Sequence, residues 1–245
     1  MSKQIINEGH TNISYKDSNK FIQEKKLTGF NHKINYEILN KFDFVPKLIE
    51  NNDKESIWEF IEGKHPDLSS ENLIKIAKLL KILHNSKLKF PASNHASRVK
   101  KYLQIIKEKG IKKQVLNDYY KQITTTLAKM DKNIPSHNDL WLMNILEDKK
   151  NKLFICDWEY ATMGDKNFDL AYFIESANLT SEQEDVFLNE YDDYNYIYVL
   201  RHKILVNYLV ILWVLAQDVL HFDPKPYEER IYVLDKELKE RLNKK

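Results

Sequence analysis

One segment, residues 134–161, constrains the fold more strongly than any other part of the sequence. It contains the run PSHNDLWLMNIL and then two short apolar runs, NILED and KLFICDW, on either side of the turn DKKN. Apolar runs of this length around such a turn predict a β-hairpin. Because helical patterns surround it, the sequence predicts a mainly helical unit with one hairpin at its entrance.

Three polar residues of this segment have the spacing of a phosphoryl-transfer site. Asp139 and Asn144 are five residues apart, and Asp157 follows thirteen residues later, after the predicted hairpin. In kinases, an aspartate at the first position accepts the proton of the substrate hydroxyl, while an asparagine and a second aspartate hold Mg²⁺. An isolated HND triplet is common in turns, but the ordered series HxDxxxxN, hairpin and strand end predicts catalysis. We therefore predict Asp139 as catalytic base and Asn144 and Asp157 as metal ligands.

The residue types also indicate the metal. A phosphoryl group in transfer spreads negative charge over several oxygens, which cations stabilise. Mg²⁺ prefers hard oxygen ligands such as Asp157 and the amide oxygen of Asn144, whereas thiolates and several imidazoles favour zinc. The lone Cys156 and the scattered histidines indicate no zinc site. The predicted cofactors are ATP and Mg²⁺.

The first sixty residues differ in pattern from the rest of the chain. The runs GHTNISY, NKFIQEKK and SIWEFIEG alternate with turn signals, and residues 34–41 are helix-forming, which predicts a small sheet with one helix. From Ser70 onward the pattern is helical, and further helices are predicted at residues 167–177, 181–191, 201–220 and 227–242. We predict an α+β, protein-kinase-like fold of two lobes: a small β-rich N-terminal lobe at residues 1–62 that binds nucleotide, and a larger, mainly helical C-terminal lobe at residues 63–245 that carries catalysis and substrate binding.

Composition limits the partners and the compartment. With 38 basic and 36 acidic residues, the net charge of +2 gives no indication of a nucleic-acid or anionic-membrane partner. Cys156 cannot form an internal disulfide, and MSKQIINEGH lacks the apolar core of a secretory signal, so a cytoplasmic location is expected. Residues 204–216 are the most apolar stretch, but a membrane span takes roughly 20 residues, so a buried core helix is expected. The sequence carries no signal for an oligomeric state.

The runs HNDLWLMNIL and FICDWEYATMGDKNFDLAYF resemble the aminoglycoside phosphotransferase and choline/ethanolamine kinase superfamily. The run FIESANLTSEQEDVFLNEY resembles the corresponding helices of its bacterial choline kinases, to which the likeness is closest. The usual pattern is HxDxxxxNxL, then a strand with D[WF]E, then D-hydrophobic-A. The resemblance implies the same roles for Asp139, Asn144 and Asp157. It further implies that Asp169 anchors the catalytic loop, while His137 is expected to support that loop by hydrogen bonds.

The resemblance also assigns nucleotide-binding residues in the N-terminal lobe. GHTN resembles the turn that covers the nucleotide and includes Thr11 and Asn12, and the hinge to adenine would be Glu59, Phe60 and Ile61. Lys25 is expected to bind phosphate, with Lys26 as the alternative register. The lysine's usual glutamate partner falls at His32, and Glu37 is an available substitute.

Choline is the substrate that the resemblance favours. A quaternary ammonium is recognised by aromatic faces and a nearby carboxylate. Trp213 and Tyr227 align with aromatic walls of the choline pocket, and Glu175 is the candidate carboxylate. Glu159, in the DWEYA form of choline-type kinases, is also expected to bind substrate. In addition, Val210 stands where relatives carry the first tryptophan of a W-x-x-W pair, and Trp141 could supply a replacement ring or pack against the lobe surface.

Other functions remain open from the sequence. The alternatives are a kinase for ethanolamine, thiamine, a sugar or an aminoglycoside, or a kinase-like protein that binds without turnover. A polycationic aminoglycoside would require an acidic cleft, for which the run SEQEDVFLNEYDDY is a candidate, although a solvated helix face is the ordinary interpretation.

Overall fold

The N-terminal lobe contains a five-stranded antiparallel sheet with strand order β1-β2-β3-β5-β4. The structure is a computed structural model, and it describes residues 3–6 and 11–243. The strands are β1 (Gln4–Ile6), β2 (Ile13–Asp17), β3 (Lys20–Glu24), β4 (Leu48–Asn51) and β5 (Glu55–Glu59). The predicted small sheet is confirmed, and β1 and β4 complete it. Gly9 and His10, half of the predicted GHTN turn, lie outside the described residues.

A short 3₁₀ helix, Tyr36–Lys41, replaces the helix predicted at residues 34–41. Asn35 caps it by accepting a hydrogen bond from the backbone N–H of Glu37. Its inner side buries Leu39 completely and packs Tyr36 edge-on against Trp58, with ring centroids 5.2 Å apart. The 3₁₀ helix thereby covers the sheet next to the cleft.

Five further short strands form two small sheets outside the N-terminal sheet. They are β6 (Gly63–Lys64), β7 (Ile134–Ser136), β8 (Ile145–Asp148), β9 (Leu153–Ile155) and β10 (Thr162–Gly164). The predicted hairpin is β8–β9, and β6 adds to its edge, while β10 pairs with β7. A Cβ on Gly63 would lie 2.3 Å from the carbonyl oxygen of Glu147, so this close strand approach requires glycine.

The C-terminal lobe contains seven helices within the described part of the chain. They are α1 (Ser70–Asn85), α2 (His95–Glu108), α3 (Gln114–Lys129), α4 (Lys166–Ser176), α5 (Ser181–Tyr191), α6 (Tyr196–Ala216) and α7 (Lys225–Asn243). The apolar stripe predicted for α1 is fully buried, at Leu73, Ile76, Leu80 and Leu83. Ser69 caps α1 by accepting from the backbone N–H of Asn72.

Helix α6 forms the centre of this lobe. It begins at Tyr196, five residues before the start predicted at residue 201. Asn195 caps its start by accepting from the backbone N–H of Tyr198. It ends at Ala216, where the side chain of Lys109 donates to the carbonyl oxygens of Ala216 and Gln217. The helix is long and apolar enough to cross a membrane, but 83% of its apolar window is buried inside the protein, as in a core helix.

Candidate active site

The catalytic loop, residues 137–144, is held by hydrogen bonds to the C-terminal lobe. The Asp169 carboxylate on α4 accepts from the backbone N–H of His137 at 2.8 Å and of Asn138 at 2.7 Å. Asn138 adopts a left-handed conformation with φ 64°, and its side-chain amide donates to the Thr162 hydroxyl at 2.9 Å. Leu140 is completely buried. The loop is therefore anchored on both sides of Asp139.

His137 supports the loop from inside the lobe. Its side chain is completely buried, and its Nε2 donates to the carbonyl oxygen of Cys156 at 2.8 Å. Burial lowers the pKa of His137, so the ring is neutral. A neutral ring bonded to backbone ties the loop to the strand end before Asp157.

Asp139, the predicted catalytic base, lines the cleft. The hydroxyl of Tyr172 donates to its Oδ1 at 2.6 Å. Burial raises the pKa of Asp139 to about 6, while the Tyr172 hydrogen bond and the charge of Arg98 act in the opposite direction. The carboxyl group is thus ionised at neutral pH, as a base must be.

Asn144 and Asp157 present oxygen ligands to the same cleft as Asp139. The Asn144 side-chain nitrogen donates to the carbonyl oxygen of Asp139 at 2.8 Å, which leaves its amide oxygen for a metal. Asp157 has φ 58°, an uncommon backbone conformation that aims a functional side chain after a strand end. Burial and the negative charges of Glu159 and Asp139 raise the pKa of Asp157 well above its usual range.

This donor set fits Mg²⁺. The crowded carboxylates favour a divalent cation, and all the donors are hard oxygens. Within the described residues, no cluster of three or more His, Cys, Asp or Glu side chains could hold a metal by itself. A metal held by Asp157 and Asn144 would therefore share its remaining ligands with water and nucleotide phosphates, as is usual for Mg²⁺.

The nucleotide end of the cleft lies under the N-terminal sheet. The cleft has a volume of about 810 Å³ and extends from the sheet past Asp139 into the helical lobe. The residues predicted for nucleotide binding that line it are Thr11, Asn12, Glu59, Phe60 and Ile61. Lys16 on β2 also lines this end, with its Nζ 4.1 Å from the centroid of the Phe60 ring.

Lys25 requires a correction. Its ammonium group binds the Asn51 side-chain oxygen at 2.7 Å and the carbonyl oxygen of Asn52, where β4 ends and the turn to β5 begins, and Lys25 does not line the cleft. Gln23 on β3 lines the cleft instead, where it donates to Asp157 Oδ1 at 3.1 Å. Glu37 is exposed and makes no ion pair with Lys25.

Glu159 also differs from its predicted role in substrate binding. It is 3% exposed, and its Oε2 accepts from the side-chain nitrogens of Asn12 at 3.0 Å and Asn31 at 2.7 Å. His32 Nε2 lies 2.9 Å from the same oxygen. Its carboxylate therefore binds the N-terminal lobe to the catalytic strand end, on the nucleotide side of the site.

The acceptor end of the cleft is the part lined by α2, α4, α6, α7 and the segment before α7. Trp213 and Tyr227, both predicted to bind the substrate, line this end of the cleft. The ring of Phe222 lies between them, 6.3 Å from the Trp213 ring and 5.6 Å from the Tyr227 ring. Trp141 lies against Tyr172, with ring centroids 5.9 Å apart. Val210 also lines this end of the cleft, at the position of the first tryptophan in the W-x-x-W pair of related kinases.

Glu175 is removed from the acceptor end by ion pairs. Arg230 binds it through two nitrogens, each at 2.9 Å, and the buried Lys203 lies 3.4 Å from its Oε1. Asn207 donates to its Oε2 at 2.9 Å. Because these groups occupy the carboxylate, the prediction that Glu175 faces a cationic substrate is wrong, and its contacts hold α4, α6 and α7 together.

The comparison with known families follows this geometry. The model of the choline/ethanolamine kinase family matches residues 16–211, about four fifths of the chain. The chain belongs to the choline/ethanolamine kinase family. A LicA homologue of Mycoplasma capricolum subsp. capricolum is 46% identical over 229 residues, which cover 94% of this chain and 96% of the homologue.

Solved structures share the fold. The crystal structure of choline kinase LicA from Streptococcus pneumoniae has a TM-score of 0.73 and 22% identity, with coverage of 98% of this chain and 94% of that chain. A LicA structure in complex with AMP has a TM-score of 0.74 and 22% identity, and covers 98% and 92% of the two chains. The predicted family and the two-lobed kinase fold are confirmed, and this chain is a kinase that phosphorylates a small-molecule alcohol.

Several residues that line the cleft were not among those predicted from the sequence. They are Gln23, Arg98, Tyr160, Tyr172 and Phe222. The sequence pattern could have indicated one of them. Arg98 lies on the buried stripe of α2 that contains Val99, Tyr102 and Ile106, where a charged residue is unexpected. The others resemble ordinary core or loop residues in sequence.

Proposed function

We propose that this kinase transfers the γ-phosphate of ATP to the hydroxyl of choline, with Mg²⁺ as the metal. The observation that carries the proposal is the aromatic group Trp213, Phe222 and Tyr227 in the same cleft as Asp139. Aromatic ring faces attract a quaternary ammonium, which offers no N–H donor. The curated relative and the neighbouring structure named LicA support the same substrate class.

The nucleotide end supports ATP as the donor. Its walls combine apolar surface from Phe21, Pro46 and Trp58 with the backbone of the Glu59–Ile61 hinge, where an adenine ring fits. The neighbouring LicA structure was solved with AMP. With the adenine ring of ATP at the hinge, its phosphates would extend toward Asp157.

Three side chains of the chain would then share the chemistry. Asp157 and the amide oxygen of Asn144 would hold Mg²⁺, which neutralises charge on the phosphates. Asp139 accepts the proton of the acceptor hydroxyl as that oxygen attacks the terminal phosphorus. Tyr172 keeps the Asp139 carboxylate ionised and oriented.

The acidic-cleft requirement of an aminoglycoside is not met by the described residues. On α5, Glu184 binds Lys203 at 2.8 Å, and the helix does not line the cleft. At the acceptor end, the carboxylate that lines the cleft is Asp139. A small monocation such as choline matches this charge better than a polycation does.

An ADP-release assay with Mg²⁺ and ATP tests the proposal. The panel contains choline, ethanolamine, thiamine, a hexose, an aminoglycoside and 3,3-dimethyl-1-butanol, the neutral isostere of choline. We expect the highest kcat/KM with choline. A higher value with any other compound would overturn choline as the substrate, and no turnover with any member would favour binding without catalysis.

A further inference from the structure

Arg98 is a buried cation at the acceptor end of the cleft. It lies on α2, is 7% exposed and lines the same cleft as Asp139. The carbon of its guanidinium group lies 4.3 Å from the centroid of the Tyr160 ring. Stacking on a ring fixes the plane of the guanidinium group and hence the directions of its N–H bonds.

The buried polar groups here lack partners. The Nε of Arg98 and the hydroxyl of Tyr160 are both buried without a hydrogen-bond partner. Among the described residues, no carboxylate lies within 4.0 Å of Arg98 to form an ion pair. A buried guanidinium group without a carboxylate partner is costly, so the part of Arg98 that lines the cleft indicates a ligand atom that accepts a hydrogen bond.

The position of Arg98 identifies which ligand this is. The start of α2 packs on α4: the His95 ring lies 4.5 Å from the Phe168 ring, and Phe168 lies 5.8 Å from the Tyr172 ring. Tyr172 in turn donates to Asp139, and Arg98 is three residues after His95 on α2. Arg98 therefore lies on the substrate side of the catalytic base, so its ligand belongs to the alcohol and not to the nucleotide.

We propose that Arg98 donates a hydrogen bond to the hydroxyl oxygen of the alcohol substrate and directs the hydroxyl proton toward Asp139. This inference rests on the proposed function. One lone pair of the oxygen accepts from Arg98 and the other attacks phosphorus. The O–H bond breaks as its proton passes to the Asp139 carboxylate, and the bond from the γ-phosphorus to ADP breaks with its electrons leaving on ADP.

The same charge orients a cationic substrate along the cleft. The ammonium head is repelled by Arg98 and attracted by the rings of Trp213, Phe222 and Tyr227. The hydroxyl oxygen, which carries partial negative charge, is attracted by Arg98. Head and hydroxyl are thus driven to opposite sides of the acceptor end, with the hydroxyl beside the base.

A pair of ligands tests this role. Choline and ethyltrimethylammonium, which lacks only the hydroxyl, are titrated into wild type and Arg98→Met in the presence of Mg²⁺ and the β,γ-imido analogue of ATP. We expect Arg98→Met to weaken choline binding roughly tenfold or more and to leave the ligand without the hydroxyl within about twofold. Calorimetry measures both affinities.

Each other result contradicts the inference. Equal weakening of both ligands would show a structural role, and unchanged or tighter binding of choline would show that Arg98 only repels the head. Arg98→Lys, which keeps the charge without the fixed fork of donors, is the second variant and should lose part of the choline affinity even if Arg98→Met does not fold.

Failure of the proposed function gives a different pattern. If wild type binds neither choline nor ethyltrimethylammonium, choline is the wrong substrate. The same comparison then uses the best substrate of the ADP-release panel and its analogue without the hydroxyl, with the same expected selective loss. Loss of affinity for both members of that pair would overturn the role of Arg98 itself.

Discussion

The catalytic end of the cleft is crowded with carboxylates, whereas the acceptor end is lined mainly by aromatic rings. Burial and the negative charges of Glu159 and Asp139 raise the pKa of Asp157, so the catalytic end favours a divalent cation. At the acceptor end, Arg98 is a buried cation. The catalytic end is therefore suited to binding a cation that neutralises phosphate charge, and the acceptor end to recognising an organic head group. Substitutions at the two ends should accordingly affect different kinetic constants.

The largest expected effect is at the catalytic end. Asp139→Asn removes the proton acceptor at nearly constant size, and we expect kcat to fall roughly 10²–10⁴-fold while the ATP KM changes little. Steady-state kinetics measure both constants. Asp53→Asn, on an exposed turn of the N-terminal lobe, is the matched control and should retain full activity. A kcat within about threefold of wild type for Asp139→Asn would remove Asp139 as the base.

Glu175→Gln tests whether the acceptor end depends on its ion pairs for stability and not for recognition. The substitution breaks a buried contact with Arg230 and Lys203, and we expect unfolding free energy to drop by on the order of 3 kcal/mol. Urea denaturation measures this. Glu71→Gln, which loses an exposed ion pair with Lys75, should cost less than about 1 kcal/mol. A stable Glu175→Gln with a raised choline KM would restore Glu175 to the substrate site.

Trp213→Ala tests aromatic recognition. We expect the choline KM to rise roughly 3- to 30-fold and the ATP KM to stay constant, because the lost ring face acts on the cationic head alone. The KM for 3,3-dimethyl-1-butanol should change much less. Trp213→Phe retains a ring face and is the matched control. Equal effects on choline and ATP would move Trp213 out of the acceptor end.

The smallest expected effect is a shift of the pH profile. Tyr172 donates to ionised Asp139 and so lowers the pKa of the carboxyl group, which burial raises to about 6. A base is active above its pKa, so kcat/KM should fall as the pH drops through this value. In Tyr172→Phe the pKa rises, and the acidic limb should move to higher pH.

A surface pair provides the control for this shift. Tyr232 donates to Asp118 at 3.1 Å on the surface, away from the cleft, and Tyr232→Phe should leave the profile unchanged. Measurement of kcat/KM from pH 5 to 9 distinguishes the two variants. A limb that moves to lower pH in Tyr172→Phe would contradict the role of this hydrogen bond.

The sequence by itself determined the catalytic loop, the hairpin and the two-lobed fold. These features are local: Asp139, Asn144 and Asp157 lie within one short segment, and the stripe of α1 repeats at helical spacing. Spacing along the chain is enough to recognise these residues because they lie on one loop and one hairpin, although Asp169 and Tyr172 on α4 hold the loop in place.

Tertiary structure alone decided which side chains reach the cleft from elsewhere. Lys25 and Gln23 are only two residues apart, but Gln23 lies within β3 and contacts Asp157, whereas Lys25 follows the end of β3 and binds Asn51. Glu175 faces Arg230 and Lys203 because α4, α6 and α7 pack there, and Arg98 lines the same cleft as Asp139 from a position 41 residues earlier in the chain. Contacts across such separations depend on packing, which local patterns do not encode.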